Sequence, residues 1–498
     1  MTLALIPRPL AVHELPGTFR LTAESAIAAP GLTGDALRVA EYLAASLRVP
    51  TGLPLPVGED GDVLVALDPS VGEAAGGDEA YALTIATETV TLRAATAQGL
   101  FRGVQTLRQL LPAAVEDGAL VAAADWTVPC VEIADRPRFG YRSAMLDVAR
   151  HFFPVPDVKR LIDALAAYKF NHLHLHLSDD QGWRIEIPSR PELTAKASGF
   201  QVGEGAGGFY TQADYAELVS YAADRFITVV PEVDVPGHTN AALLAYPELG
   251  LKDYQPRQYR GTDVGFSTLD PDNEATYTFL ADVFGDLAAM TPGPYLHLGG
   301  DEVDVLDQEA FGRFLRRAAE IAAATGKTVI GWEEIVASGV PAEVVAQYWG
   351  RNHGRQTVEH GVSDDEFRDA VAKGASAIVS PASHSYLDMQ YGPDSPFGLD
   401  WSGYVPVRQA YEWDPVGYLG EVEAERVLGL EAALWTETVA TMTEAEYLIF
   451  PRLPGHAEVG WSSVHRDWAD YRTRLAAHAE RWEAQGRNYF RAPEVWAA

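Results

Sequence analysis

The chain has 498 residues, 47% of them hydrophobic and 22% charged, with a formal net charge of −32. That length and balance predict a globular protein with a large core and two domains. The acidic excess argues against nucleic acid and against anionic membrane surfaces, which reward clustered Lys and Arg, and leaves a well-solvated acidic surface as the simpler reading.

The N-terminal stretch MTLALIPRPLAVHELPG has no basic leader, and Pro7 and Pro9 interrupt its apolar run. No signal peptide is expected there, so a cytoplasmic location is the expectation. No window reaches the roughly eighteen apolar residues of a membrane span. Residues 1–135 then read as a small α+β domain. VLVAL (63–67) alternates as a strand, YALTIATETVTLRA (81–94) as a hairpin, and AQGLFRGVQTLRQLL (97–111) as a helix. The single cysteine, Cys130, excludes an internal disulfide and a multi-thiolate metal site. Few acidic or aromatic residues fall near the loops of this domain, which predicts a supporting role.

Residues 136–498 change texture, with short apolar strands alternating with amphipathic helices. Strands are expected at 141–147, 171–177, 227–233, 295–299, 329–332, 344–349, 376–381 and 428–435. Val158, Leu161, Ile162, Leu165 and Ala166 form one helical stripe behind Pro156 and Asp157. Tyr215, Leu218, Val219 and Ala222 form another, with Thr211 as its N-cap. Eight such strands predict a (β/α)8 TIM barrel. Working groups should then follow the strands' C-terminal ends, and polar or aromatic residues recur there: Arg150, Asp179, His238, Asp301 with Glu302, Trp332, Trp349, Tyr386 with Asp388, and Trp435 with Glu437. Adjacent carboxylates at a strand end suit acid–base chemistry on a glycosidic bond.

Three other features have competing readings. His172, His174 and His176 share one strand face and either bind a metal, as in a metal-dependent barrel hydrolase, or hydrogen-bond inside the barrel and support Asp179. The latter is favoured because no further ligands complete a metal spacing. The loop GEGAGG (203–208) formally matches a dinucleotide fingerprint, but no strand precedes it and Glu204 would repel phosphate; it reads as a surface loop. Trp332, Trp349 and Trp435 read as walls of an apolar subsite, and Arg150 with Glu437 as a clamp on sugar hydroxyls.

Eight stretches together resemble glycoside hydrolase family 20, the β-N-acetylhexosaminidases: MLDVARHFF (145–153), HLHLSDDQGWRI (174–185), ITVVPEVDVPGHTNAAL (227–243), HLGGDE (297–302), GWEE (331–334), QYW (347–349), YLDMQY (386–391) and LWTE (434–437). Residues 1–130 resemble that family's accessory domain and the remainder its catalytic barrel. GLEAALW and VDVPGH depart from the family pattern without touching a residue of chemical role.

The resemblance implies an exo-acting, retaining enzyme whose nucleophile is the sugar's own 2-acetamido oxygen. Consecutive Asp301 and Glu302 approach from one strand end, so they are poorly placed to flank a bond from opposite sides. On this reading Glu302 is the general acid and then base, kept protonated by partial burial and by Asp301. Asp301 holds the acetamido N–H and stabilises the oxazolinium-like intermediate, while Tyr386 orients the acetamido oxygen. Trp332, Trp349 and Trp435 enclose the sugar, Arg150 and Glu437 hold its hydroxyls, and Asp388 lies near the 6-hydroxyl. Asp179 and His238 form a pair behind Glu302. No metal and no organic cofactor is implied, and the partner is a carbohydrate ending in N-acetylhexosamine. A silent N-acetyl-sugar-binding barrel is the alternative. The insert 382–427, with Trp401 and Trp413, is expected either to wall the pocket or to come from a neighbouring subunit of a homo-oligomer. The Ala-rich acidic composition suggests a bacterial source.

Overall fold

Alternation of buried and outward residues along the N-terminal strands sets one face of a sheet against helices. The structure, a computed structural model, describes residues 3–75, 77–339, 343–350, 362–420 and 422–496. These form two compact units: Met1–Gly140 with Ala166–Lys169 and Phe450–Ala498, and Tyr141–Leu165 with Phe170–Ile449.

The first unit carries a seven-stranded sheet. Its strands are β1 (Ala11–Arg20), β2 (Ile27–Ala28), β3 (Val57–Gly58), β4 (Val63–Leu67), β5 (Tyr81–Ile85), β6 (Val90–Ala94) and β7 (Thr127–Asp135). Their order is β1-β7-β5-β6-β4-β2-β3. The expected hairpin forms β5 and β6, in register from Tyr81 opposite Ala94 to Ile85 opposite Val90. The expected helix spans Ala97–Leu110 and buries Leu100, Phe101, Val104 and Leu107; the Thr96 side chain caps it by accepting from Gly99 N, an arrangement worth about 1 kcal/mol. The helix Trp468–Ala484 belongs to the same unit. There Arg474 meets Glu458 at 2.6 Å, and the Trp461 indole N–H donates to Asp135 at 3.0 Å. Asp135 also pairs with Lys169 at 3.1 Å and accepts from the Tyr81 hydroxyl at 2.6 Å. Breaking a buried ion pair of this kind costs about 3–5 kcal/mol.

The second unit is a closed barrel of eight parallel strands. In chain order they are Tyr141–Asp147, His172–His176, Thr228–Glu232, Tyr295–His297, Thr328–Trp332, Val345–Tyr348, Ser376–Val379 and Val427–Leu434. All eight expected strands are present. The fourth ends early because Gly299 (φ 70°) and Gly300 (φ 100°) leave the extended region and start the turn to Asp301. The helix Val155–Ala167 presents the expected stripe, with Val158, Leu161, Ile162, Leu165 and Ala166 all buried. Gln212–Ala223 opens on a capping box between Thr211 and Asp214 and buries Tyr215, Leu218 and Ala222; Val219 is half-buried.

Inside the barrel, Tyr141, Val230, Ile330, Val345 and Ile378 form an apolar plug. Toward the C-terminal ends the interior turns polar, with His174, His176, Glu232, His297, Gln347 and Glu431 all enclosed. Among the described residues, no helix is long and apolar enough to cross a membrane.

Candidate active site

A cavity of about 320 Å³ opens at the C-terminal ends of the barrel strands. Arg150, His238, Asp301, Glu302, Trp349, Tyr386, Asp388, Trp435 and Glu437 line it, joined by Thr262, Val264, Leu399 and Trp401. Nine of the eleven positions expected from the sequence therefore share its surface. The other two stand directly behind. Trp332 is 1% exposed; its ring lies 5.8 Å from that of Trp435, and its N–H donates to Glu232 at 2.9 Å. Asp179 is buried beneath Arg150 and His238.

The carboxylate pair rests on a relay of buried charges. His238 Nε2 lies 3.5 Å from Glu302 Oε2 and 3.9 Å from Asp301 Oδ2, while its Nδ1 faces Asp179 Oδ1 at 3.2 Å. The other oxygen of Asp179 meets Arg150 at 2.9 Å and His176 Nε2 at 2.9 Å. Burial would raise the Asp179 pKa, but Arg150, His238 and His176 overcome it and hold the carboxyl far below its usual range. Burial likewise works against a charged His238, yet Asp179 wins and raises its pKa well above the ordinary imidazole value. The Asp301 pKa is raised, chiefly by burial, against the pull of His238.

The clamp side is built on the first and last strands. Asp147, unremarked in the sequence reading, accepts the backbone N–H groups of Ala149, Arg150 and Thr436 at 2.8, 3.0 and 3.1 Å. This ties the loop after the first strand to the one after the eighth. The Arg150 guanidinium lies 4.9 Å over the Trp435 ring. Burial opposes its charge, but Asp179, Asp147 and Glu437 outweigh that and raise its pKa. Burial raises the Glu437 pKa. Arg150 Nε and Glu437 Oε2 find no partner among the described residues.

The aromatic wall is fixed from behind. Trp349 donates its indole N–H to Glu334 at 3.1 Å and its backbone N–H to Glu333 at 3.0 Å, which explains the two acids of GWEE. Trp401 packs edge-on to Trp349 and Tyr386, with centroids 6.1 and 6.0 Å away. Insert 382–427 thus walls the cavity from within the same chain through Leu399 and Trp401. Trp413 instead packs near His384 and Tyr418. Burial drives the Tyr386 pKa well up, so its phenol remains a hydrogen-bond donor.

The three strand histidines do not converge. His172 stacks on Tyr141 with ring centroids 4.1 Å apart. His174 lies 3.0 Å from both Glu431 and Glu232, and His176 joins Glu232 to Asp179. Among the described residues, no group of candidate ligand atoms contains two of the three: His174 joins Glu232 and His297, and His176 joins Glu232 and Asp234, so the strand histidines do not form one shared donor set. GEGAGG is a largely exposed loop held by Arg260, whose guanidinium donates to Gly203 O at 2.6 Å. Beyond Asp147, the sequence reading missed Glu232 and Asp234; inward placement at the end of the third strand was their available signal.

An eight-stranded barrel with a carboxylate pair, a cationic clamp and an indole wall at its mouth defines a glycoside hydrolase. The sequence matches "Glycosyl hydrolase family 20, catalytic domain" over residues 139–310 and 305–464, and "Glycosyl hydrolase family 20, domain 2" over residues 2–136. The chain belongs to glycoside hydrolase family 20. A β-N-acetylhexosaminidase of Cellulomonas fimi is 42% identical, over 99% of this chain and 97% of that protein. The solved GH20 β-N-acetylhexosaminidase of Streptomyces coelicolor A3(2) is 46% identical with a TM-score of 0.94, covering 99% of each chain. A Streptomyces plicatus β-hexosaminidase variant solved with the product GlcNAc is also 46% identical, with a TM-score of 0.94, covering 99% of this chain and 98% of that one.

Proposed function

We propose that this protein is an exo-acting, retaining β-N-acetylhexosaminidase that removes terminal β-linked N-acetylhexosamine by substrate-assisted catalysis. The observation that carries this reading is the convergence of Asp301, Glu302 and Tyr386 on one cavity sized for a single sugar. Asp301 and Glu302 are consecutive and both contact His238 from one side, so neither is placed as a nucleophile opposite the other. The acetamido oxygen of the substrate supplies attack from within, with the rate advantage of an intramolecular reaction.

Glu302 protonates the leaving oxygen as the C1–O bond breaks and the acetamido oxygen closes on C1. Asp301, as an anion, accepts the acetamido N–H and offsets the positive charge of the cyclic intermediate. Glu302 then takes a proton from water as water opens the ring, restoring the configuration at C1. Tyr386 orients the acetamido oxygen, and Trp349, Trp401 and Trp435 cover the apolar faces of the sugar, with the buried Trp332 backing Trp435. The unmet Arg150 Nε and Glu437 Oε2 are positioned for non-reducing-end hydroxyls, with Asp388 beside them.

The test compares aryl β-glycosides bearing a 2-acetamido group with the same glycosides bearing a 2-hydroxyl. Effective molarities of about 10⁵ M or more predict a loss in kcat/KM of at least about 10⁵-fold without the N-acyl arm. Equal turnover of both would refute the mechanism. Tight binding of N-acetylglucosamine with no aryl release would establish a binding barrel instead.

A further inference from the structure

Beneath the carboxylate pair lies a third acid, Asp234, 1% exposed. Its Oδ1 accepts the Gly300 N–H at 2.9 Å, which anchors the turn that presents Asp301. The approach is so close that a Cβ on Gly299 would stand 1.8 Å from this oxygen. Asp234 Oδ2 and Asp301 Oδ1 are both shut away from solvent, and neither receives a hydrogen from a donor among the described residues. Yet Asp234, His238 and Asp301 bring one polar atom apiece within 4.8 Å of one another, so the two buried carboxyl groups face each other at short range. Two ionised carboxylates are acceptors only and cannot satisfy each other. A single proton between them satisfies both.

We propose that Asp234 is a positioning residue that keeps its proton at working pH and donates it from Oδ2 to Asp301 Oδ1, so that Asp301 remains the anion of the pair. This rests on the reading of Asp301 as the group that holds the acetamido N–H. It also resolves a conflict in that reading, because Asp301 must be ionised although burial opposes its charge.

The surroundings decide which acid keeps the proton. Asp234 is affected first by burial and then by Asp301, both raising its pKa; Glu232 adds to them, while His238 and His176 oppose, and the net shift is well upward. Asp301 is raised by burial, Glu302 and Glu232, but His238 and the hydrogen bond from Asp234 pull it back. Asp301 also lines the cavity whereas Asp234 does not. The acid with the less polar surroundings holds the proton, as expected of paired carboxyls.

Isotope-edited infrared spectroscopy of full-length protein labelled with carboxyl-¹³C aspartate tests the protonation state directly, without using activity. At pH 8, a protonated-carboxyl C=O band is expected in the wild type and in Glu302→Gln, and should vanish in Asp234→Asn. Absence of a band sensitive to Asp234→Asn overturns the proposal. The pH profile is the second measurement. An Asn amide can still accept from Gly300 and donate to Asp301, so Asp234→Asn should keep the acid limb of kcat near its wild-type pH. Asp234→Leu provides no donor, leaves Asp301 buried and more basic, and should move that limb upward by about one pH unit with a fall in kcat of about tenfold or more. Were Asp234 ionised instead, Asp234→Asn would remove a neighbouring negative charge and shift the limb downward. A cation gripped by the same three side chains is the rival account; activity lost on chelation and restored by a divalent ion would overturn the proposal. Failure of the N-acyl substrate test with the infrared band intact would remove the substrate-assisted reading and leave the shared proton in place.

Discussion

Replacing Asp179 by Asn changes one charge and almost no volume, at a point where four donors meet. Oδ1 receives the Asp180 backbone N–H at 2.6 Å and His238 Nδ1 at 3.2 Å. Oδ2 receives His176 Nε2 at 2.9 Å and Arg150 at 2.9 Å. An amide can offer an oxygen to only one of these pairs; its NH₂ must face the other pair, donor against donor. Arg150 cannot shed its proton, so the stable orientation turns the NH₂ toward Asp180 N and His238, and His238 must become neutral to accept. The variant therefore loses one buried ion pair outright, that with His238, and weakens two others, those with Arg150 and His176. Breaking a buried pair costs about 3–5 kcal/mol, and at about 2–4 °C per kcal/mol for a domain of comparable size the melting temperature should fall by roughly 10 °C. Because a neutral His238 no longer presents a positive charge to Glu302 and Asp301, kcat/KM on substrates with poor leaving groups should drop by about 10²–10⁴-fold, the usual weight of positioned acid–base groups. Scanning calorimetry reads the first quantity, and steady-state kinetics on an N-acetylated disaccharide reads the second. A melting temperature within about 2 °C of wild type, with kcat/KM within about threefold, would refute the idea that Asp179 is the hub of the site.

Two further outcomes are expected. Burial opposes a charged His174, but Glu431 and Glu232 overcome it and raise its pKa to about 9. A folded value above the unfolded value of about 6.5 stabilises fully below that pH and is lost as pH climbs through 9. Urea unfolding at pH 6, 8 and 10 should therefore show stability falling with pH, with roughly 3 kcal/mol as the ceiling for this residue. His174→Gln should flatten the profile, and equal slopes for both proteins would contradict the assignment. Trp401→Ala removes an indole that lines the cavity beside Trp349 and Tyr386 while sparing the acids. It should raise KM by about tenfold and alter kcat less, as loss of uniform binding does; a collapse of kcat at constant KM would place Trp401 in the chemical step.

The barrel was legible because its strands are short apolar runs whose C-terminal ends each carry a polar or aromatic group, and the sequence pattern marks those ends directly. Asp301 with Glu302, Tyr386, and Trp435 with Glu437 come from the ends of three different strands, and topology alone brings them to one cavity. What lies behind them was harder to read. Asp147, Glu232 and Asp234 sit among residues that also look like strand or loop, and nothing local shows that Asp147 will accept the Thr436 N–H from 289 positions away. The histidines of the second strand had two open readings because period two gives their face but not their partners. Only the closed barrel places Glu431 and Glu232 on either side of His174. Trp401 was visible as an aromatic in an insert, yet its place at the cavity depends on how that insert folds back over Trp349.

The deeper acids also account for an otherwise costly backbone. Glu302 and His238 have φ of 51° and 54°, in the left-handed region that costs a non-glycine residue about 1–2 kcal/mol. They face each other across 3.5 Å, so the two loops that meet at the catalytic carboxyl are both strained. Each loop is pinned by a buried carboxyl that does not line the cavity. Asp234 accepts the Gly300 N–H two residues before Glu302, and Asp180 accepts the Asn240 N–H two residues after His238. Ser267 strengthens the second anchor, accepting the Thr239 N–H at 2.9 Å while donating to Asp180. Strain of this kind persists only where surrounding bonds over-determine it. The acids beneath the cavity therefore fix the unfavourable turns that aim His238 and Glu302 at each other, and Asp234 in addition keeps the negative charge on Asp301. Removing the acceptor oxygen of one of them, as in Asp234→Leu, should disturb the aim of the site before it disturbs any contact to the sugar.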